Sequence, residues 1–193
     1  MTTMHEEQRK AAPGPLAWVQ ALVNTQYGQG RGEHVELTSP EQLRVWLVAH
    51  QLLADGTSVT PGDFRRVLLL REALRSLLLA NNETGILASQ IDVFNRLASD
   101  APLTVRLHRD GLSTLEPDIS GVNGAIARLV GIVFTAMTDG TWARLKVCRN
   151  ERCQRAFYDT SKNRSGAWCS MARCGSRLKA RAYRHRRTAH LEG

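Results

Sequence analysis

The chain has 193 residues, of which 42% are apolar, so it can build one moderate hydrophobic core with a smaller unit attached. Its glycine and proline contents exclude a broadly disordered chain. The formal net charge of +8 is uneven: residues 1–143 carry 12 Lys and Arg against 15 Asp and Glu, whereas residues 144–187 carry 14 against two. A basic segment attached to a mildly acidic domain indicates a polyanionic partner, and nucleic acid in preference to a membrane.

The sequence favours a protein of the cytoplasm. Residues 1–14, a predicted flexible leader, are charged and do not resemble a secretory signal. The apolar patches around residues 67–79 are interrupted by Arg71, Glu72 and Arg75, so no transmembrane helix is predicted. In a reducing cytoplasm, a cysteine cluster favours metal binding over disulfide bonds.

Residues 15–140 are predicted to form a mainly α-helical domain. Ser39 and Thr60 are each followed by proline, a pattern typical of helix starts because the hydroxyl caps the first turn and proline fits the first helical position. Apolar residues at three- and four-residue steps predict helices over residues 16–26, 40–53, 61–80, 86–98 and 123–137.

One β-hairpin is expected in this domain, before its last helix. Apolar and polar residues alternate over residues 105–107 and return over 112–115, on either side of the strong turn pair Asp110-Gly111. A glycine-rich stretch, residues 27–32, is expected to be a mobile loop.

The second predicted unit, residues 141–193, follows an expected hinge at Asp139-Gly140 and contains every cysteine of the chain. Two C-x4-C pairs are separated by 15 residues: Cys148 and Cys153, then Cys169 and Cys174. Two pairs at this spacing are typical of a four-thiolate zinc site, in which each pair lies on a tight turn. This highly charged segment has too few apolar side chains to form its own core. One structural zinc ion is therefore predicted to stabilise it.

Other interpretations of the cysteines carry less weight. Paired spacing disfavours four unrelated buried cysteines, and a redox dithiol prefers C-x-x-C. A catalytic zinc would keep an open coordination position, and no catalytic triad or phosphate loop indicates an enzyme. His185 or His190 could replace a cysteine as ligand. Phe157, Tyr158 and Trp168 are predicted to form a small core around the ion.

Residues 171–187 are predicted to form a basic helix after the last cysteine, because they contain seven Lys and Arg and no acid. At about 100° per residue, the arginines share one face, which Lys179 and Arg186 widen. Guanidinium groups fit phosphate oxygens and guanine edges. The predicted DNA contacts are Arg173, Arg177, Lys179, Arg181, Arg184 and Arg187. A docking surface for an acidic protein and a solvated tail are the alternatives.

These residues resemble a known module. The stretches 148–153, 157–164 and 168–181 are similar to the CGNR zinc finger, and Cys174-Gly175-Ser176-Arg177 stands where that family has its naming tetrapeptide. Ser176 replaces the expected Asn. The resemblance implies that the four cysteines are the zinc ligands.

The upstream region resembles the mainly helical ABATE domain, which is associated with stress-induced transcription regulation. The similar residues are Val23-Asn24-Thr25 and the stretch 70–75. In such proteins the finger follows the helical domain, and the resemblance implies a bacterial regulator that binds DNA.

The predicted fold is mainly α: a helical domain with one β-hairpin, then a small treble-clef-like zinc module ending in a basic helix. The predicted function is zinc-dependent DNA binding in transcriptional regulation. The alternatives are an adaptor for an acidic protein and a small-molecule sensor, which a deep pocket near Asn24 and Thr25 would favour. DNA is the expected partner, a homodimer and an effector molecule are left open, and no membrane partner is expected.

Overall fold

The computed structural model describes residues 11–28, 33–82, 85 and 87–176. Helices dominate this part of the chain, as predicted. They are α1 (Leu16–Asn24), α2 (Pro40–Ala49), α3 (Pro61–Ala80), α4 (Ala88–Ser99) and α5 (Gly121–Thr138). The first two end two to four residues earlier than expected, and Ala12, in the predicted leader, is buried against the core.

The predicted helix starts at Ser39 and Thr60 are confirmed. Ser39 Oγ accepts a hydrogen bond from Gln42 N–H at 3.2 Å. Thr60 and Asp63 form a capping box, in which each side chain accepts a hydrogen bond from the other residue's backbone N–H. These bonds satisfy N–H groups that a helix leaves unpaired, and they fix where the 20-residue α3 begins.

The described residues also form three antiparallel strand pairs. These are β1 (Gln26–Gly28) with β2 (Glu33–Val35), β3 (Leu103–Leu107) with β4 (Ser113–Pro117), and β5 (Leu145–Val147) with β6 (Ala156–Tyr158). The second pair is the predicted hairpin. The first pair was not predicted, because three-residue strands are too short to show an alternating pattern.

The hydrophobic core is arranged around α3. This helix contacts α1, α2, α4 and α5. Its residues Leu70, Leu74 and Leu78 are fully buried, at the helical spacing that the sequence indicated. Removing so much apolar surface from water supplies the main driving force for this packing.

Helix α5 is long and apolar enough to span a membrane by length and composition alone. Half of it is buried inside the protein, where Ile126 and Leu129 belong to the core. Gly131 faces the β3–β4 hairpin, where a Cβ would lie at an ordinary contact distance of 3.5 Å from Leu103. The core position accounts for the apolar composition, although Phe134 in the same helix is 59% exposed.

The chain after α5 returns to the core. Gly140 turns the backbone with φ of 78°, and a short 3-10 helix (Trp142–Arg144) leads into β5. Leu145, Val147 and Ala156 are buried in the same cluster as the helices. The expected hinge is therefore followed directly by a hairpin, β5–β6, that packs on α3 and α1.

Candidate metal centre

The first cysteine pair lies on the tip of the β5–β6 hairpin. Cys148 follows β5, and its N–H donates to Arg155 O at 2.9 Å, which continues the strand pairing. The chain then turns tightly, with Cys153 N–H donating to Asn150 O at 2.7 Å. Gln154 takes φ of 53° to rejoin β6, a left-handed conformation that closes the turn. The turn brings both sulfurs to the same side of the hairpin.

The second pair brackets the start of a helical turn. Cys169 precedes it, and Cys174 lies within the π-helical turn Met171–Gly175. The N–H groups of Cys174 and Gly175 both donate to Ser170 O, at 3.0 and 3.2 Å. A hairpin knuckle facing the first turn of a helix is the arrangement expected of the predicted treble-clef-like module.

The four sulfurs converge on one point. All four Sγ atoms lie within 4.8 Å of one another. The Cys153–Cys169 and Cys169–Cys174 Sγ separations are 3.6 and 3.8 Å. A tetrahedral zinc ion with Zn–S bonds of about 2.3 Å separates its sulfurs by about 3.8 Å. The cysteines form no disulfide, and their geometry fits a closed four-thiolate site.

The thiols of the cluster are close enough to share protons when no positive ion lies between them. Hydrogen bonds from the thiols of Cys153 and Cys169 lower the pKa of Cys148 to about 2. The hydrogen bond with Cys148 in turn raises the pKa of Cys153 to about 12, and the same neighbours raise the pKa of Cys169. Four thiolates this close repel one another strongly unless a positive ion lies between them.

Two aromatic residues shield the cluster, as predicted. Phe157 is buried with the cysteines, and Trp168 packs against them. Tyr158, which was expected there too, packs against the helical core instead, because alternate residues of β6 face opposite sides. A Cβ at Gly175 would lie 2.6 Å from Met171 Sδ and 3.1 Å from Trp168 Cδ1, so both side chains would have to shift.

A buried ion pair holds the loop between the two cysteine pairs. Lys146 Nζ donates to Asp159 Oδ2 at 3.0 Å and also to Arg164 O. Asp159 accepts further hydrogen bonds from the N–H groups of Ser161 at 3.0 Å and Gly166 at 2.7 Å. These contacts hold residues 159–166 in place, so the chain leads the second cysteine pair back beside the first.

Comparison with known families agrees with this geometry. The family model for the CGNR zinc finger matches residues 144–187, and the model described as "Putative stress-induced transcription regulator", ABATE, matches residues 16–137. The second match covers more than half of the chain. The chain belongs to the ABATE family. No curated protein matches it.

The described part of the CGNR finger uses much of its positive charge internally. Arg144 donates to the carbonyls of Asp159 and Ser161, and Arg149 to that of Asn82. The guanidinium of Arg155 lies 5.2 Å from the centre of the Tyr27 ring. The exposed cations of this part are Arg149, Arg152, Lys162 and Arg164.

Most of the predicted DNA contacts lie outside the described residues, together with His185 and His190. They are Arg177, Lys179, Arg181, Arg184 and Arg187. The backbone of Arg173 belongs to the helical turn that carries Cys174, and its side chain also lies outside the description. Ser176 is exposed, and nothing in the structure explains its replacement of Asn.

Sequence reasoning missed the residues of the ABATE domain that contact the finger. Asn24, Arg75, Asn81 and Asn82 all hydrogen bond to backbone atoms of residues 142–156. Two of them lie in or beside the stretches that resemble the family, Val23-Asn24-Thr25 and 70–75. That clustering was the available signal, but a sequence does not show what a polar side chain binds.

Proposed function

We propose that this protein is a transcriptional regulator that binds DNA through its CGNR finger, with one structural zinc ion holding the finger together. The ABATE domain would be the regulatory part, and the protein would act in the cytoplasm. The observation that carries the proposal is the distribution of exposed charge on the finger.

That distribution is almost wholly positive. Residues 144–187 contain two acidic residues, Glu151 and Asp159. Asp159 is buried and paired with Lys146, so it offers no negative charge to a partner. Glu151 is exposed next to Arg152, and the sequence adds seven basic residues and no acid over residues 171–187. A surface of this kind favours a polyanion, and arginine-rich helices suit the grooves of DNA.

The proposed role of zinc is structural. Four sulfurs at tetrahedral spacing would fill the coordination sphere and leave no position for a substrate or a reactive water. When bound, the ion would neutralise the thiolates and join the hairpin tip to the helical turn that carries Arg173. We therefore propose a binding protein, without catalytic activity, whose basic helix is oriented by the metal.

The test is fluorescence anisotropy with a labelled random-sequence duplex and zinc-loaded protein, titrated at several salt concentrations. The logarithm of the association constant should fall with log salt at a slope of about −0.9 per phosphate contacted. A chelator that removes zinc should abolish binding, and added zinc should restore it. Arg109→Ala, at the exposed tip of the β3–β4 hairpin, is the control for a loss of one charge outside the finger.

Two results would contradict the proposal. Folded, zinc-loaded protein that does not bind the duplex at low salt would exclude DNA as the partner. If that protein bound an acidic polypeptide instead, an adaptor for an acidic protein would become the leading interpretation. Binding that survives complete zinc removal would exclude the structural role proposed for the metal.

Small-molecule sensing is a second candidate, favoured by a cleft of about 880 Å³ between the start of α1, the β3–β4 hairpin and α5. Trp18, Leu115 and Ile132 give it apolar walls, and Arg128 supplies a positive charge. This cleft lies away from Asn24 and Thr25, whose side chains hydrogen bond internally. Glu116 and Asp139 also line the cleft, so an aromatic ligand suits it through apolar contacts.

The probe for this second candidate is the anionic aromatic dye ANS. Saturable dye fluorescence should decrease in Thr135→Trp, because Thr135 lines the cleft and is exposed. The control is Val45→Trp, an exposed position on α2 outside the cleft lining. Equal dye binding by both variants and the wild type would exclude the cleft as a ligand site.

A further inference from the structure

The ABATE domain holds the backbone on both sides of the first cysteine pair. Val147 and Arg149 flank Cys148, and Gln154 follows Cys153. Each of these three neighbours makes a hydrogen bond to the helical domain. The tip of the hairpin that carries two of the four sulfurs is therefore fixed from outside the finger.

Asn82, two residues beyond α3, holds the Cys148 side. Its Nδ2 donates to Val147 O at 2.6 Å, and its carbonyl accepts from Arg149 Nη2 at 2.6 Å. The neighbouring Asn81 donates through Nδ2 to Leu145 O at 2.9 Å. Asn82 is buried, so water does not compete for these bonds, and they fix β5 against the end of α3.

Asn24 and Arg75 hold the Cys153 side. Asn24 Oδ1 accepts from Ala156 N–H at 2.8 Å, and its Nδ2 donates to Ala156 O at 3.0 Å. The side-chain amide therefore pairs with β6 as a neighbouring strand would. Arg75 is buried on α3, and its Nη1 donates to Gln154 O at 2.9 Å while Nη2 reaches carbonyls near the end of α1.

Contacts within the finger hold the second pair. Ser170 O accepts the Cys174 N–H at 3.0 Å, and Ala167 O accepts the Arg149 N–H at 3.0 Å. Cys148 and Cys153 thus form the fixed half of the zinc site. The Arg149–Ala167 hydrogen bond joins the chain around the second pair to it.

We propose that Asn24, Arg75 and Asn82 are positioning residues of the zinc site, which preform its first half and couple zinc binding to the stability of the ABATE domain. The inference rests on the zinc-binding part of the proposed function and is independent of DNA binding. Residues behind a metal ligand that fix its orientation commonly change metal affinity by about 10- to 100-fold when they are replaced.

Coupling follows from thermodynamic linkage. If zinc binds the native chain and not the unfolded chain, it stabilises every part of the protein that must be folded for zinc to bind. If the half-site depends on α1 and α3, that includes the helical domain. A zinc finger that folded independently would leave the melting of these helices unchanged.

The experiment compares the full-length variants Asn24→Ala and Asn82→Ala with Thr60→Ala. Thr60 caps the opposite end of α3, so its replacement weakens the same helix without contacting the finger. Zinc affinity is measured by competition with a chromophoric chelator. The midpoint of thermal unfolding, from helical circular dichroism, is measured with and without zinc.

We expect zinc to bind about 10- to 100-fold more weakly to Asn24→Ala and Asn82→Ala than to Thr60→Ala. The rise in Tm on adding zinc should be present in the wild type and in Thr60→Ala, and smaller in the other two. Asn24→Asp provides a second variant if alanine prevents folding. Its carboxylate can accept from Ala156 N–H and cannot donate to Ala156 O, so weaker zinc binding is expected there too.

Equal zinc affinities in all variants, or a helical Tm that zinc leaves unchanged in the wild type, would overturn the inference. Wild-type protein that binds zinc and no DNA would overturn the proposed regulator and leave the inference standing. Wild-type protein that binds no zinc would overturn both.

Discussion

Lys146 Nζ lies 3.0 Å from Asp159 Oδ2, and both side chains are buried beside the zinc-binding loops. Burying two charges is unfavourable by itself, but further hydrogen bonds satisfy both groups here. Asp159 accepts two backbone N–H bonds, and Lys146 donates to two carbonyls besides the carboxylate. The pair therefore gives a defined shape to a loop with little apolar content.

Replacing Asp159 with Asn should destabilise the zinc-loaded protein by about 3–5 kcal/mol, because Lys146 would be left as an uncompensated buried charge. Urea unfolding followed by tryptophan fluorescence measures the change. The matched control is Arg44→Ala, which removes the exposed contacts with Glu41 and Asp55 and should change stability far less. Similar midpoints for the two variants would contradict a structural role for the pair.

The same pair predicts a pH dependence. Burial opposes the charged form of Asp159, but hydrogen bonds from Ser161, Lys146 and Gly166 outweigh it and lower the pKa to about 2, from 3.8 for an unperturbed carboxyl. A carboxyl group whose pKa is lower in the folded state than in the unfolded state stabilises the fold at pH values above its unfolded pKa. This contribution is lost as pH falls from about 4 to about 2. The stability difference between wild type and Asp159→Asn should therefore be constant from pH 7 to about 4 and decrease by about 2 kcal/mol below it.

Chelator-treated protein is the sample for that pH series, because acid also removes zinc from thiolates. The pair should persist in it, since β5 carries Lys146 and packs on the helical core. Urea midpoints of both proteins at each pH give the difference. A difference that stays constant down to pH 2 would contradict the assignment to Asp159.

Local signals in the sequence were sufficient for most of the helical domain. Ser39 and Thr60 were correctly predicted as caps because a capping hydroxyl and the following proline act within one turn. The β1–β2 pair was missed because its strands have three residues each. Phe134 shares the apolar spacing of α5, yet it is exposed, because periodicity does not show where the neighbouring elements end.

The sequence predicted those parts of the site that depend on the spacing of residues along the chain. It did not predict the parts that depend on packing. The paired cysteines indicated a four-thiolate centre, and the sulfurs do converge. Arg75 and Lys146, by contrast, are charged residues that a sequence indicates to be exposed. Both are buried and donate hydrogen bonds to backbone carbonyls. The sequence did not predict that β5–β6 packs on the helical core, because this packing depends on three buried residues in two short strands.

Gly166→Ala should disrupt the loop through Asp159. A Cβ at this position would lie 2.6–2.9 Å from the Asp159 carboxyl atoms. Overpacking of this kind costs about 1–3 kcal/mol, measured by urea unfolding. Gly62→Ala is the control, since its Cβ would lie at an ordinary contact distance of 3.5 Å from Thr60 Oγ1.

A double-mutant cycle identifies the cause of the Gly166 effect. In an Asp159→Gly background the clash disappears, so Gly166→Ala should destabilise the protein much less there than in the wild type. An equal cost in both backgrounds would show that the carboxyl contact is not responsible.

Cys169→Ala should weaken zinc binding and lower the zinc content below one ion per chain, because one of the four thiolate ligands is lost. The helical circular dichroism should persist, since Leu145, Val147 and Ala156 keep β5–β6 in the core. Elemental analysis after gel filtration gives the metal ratio. Thr160→Ala, exposed in the same finger, is the control and should keep its zinc. Full zinc content in Cys169→Ala would exclude the four-cysteine assignment.

Arg177→Ala tests whether the predicted basic helix recognises DNA sequence. If Arg177 contacts a guanine edge, its loss should cost about 1–3 kcal/mol on the preferred duplex and relax specificity at one base pair. If it contacts phosphate, binding should weaken equally on all duplexes and the salt dependence should become shallower. The preferred duplex comes from selection with the wild type, and anisotropy on that duplex and its single-base variants measures both quantities. Arg109→Ala again controls for net charge, and an Arg177→Ala protein that binds every duplex as the wild type does would remove this residue from the interface.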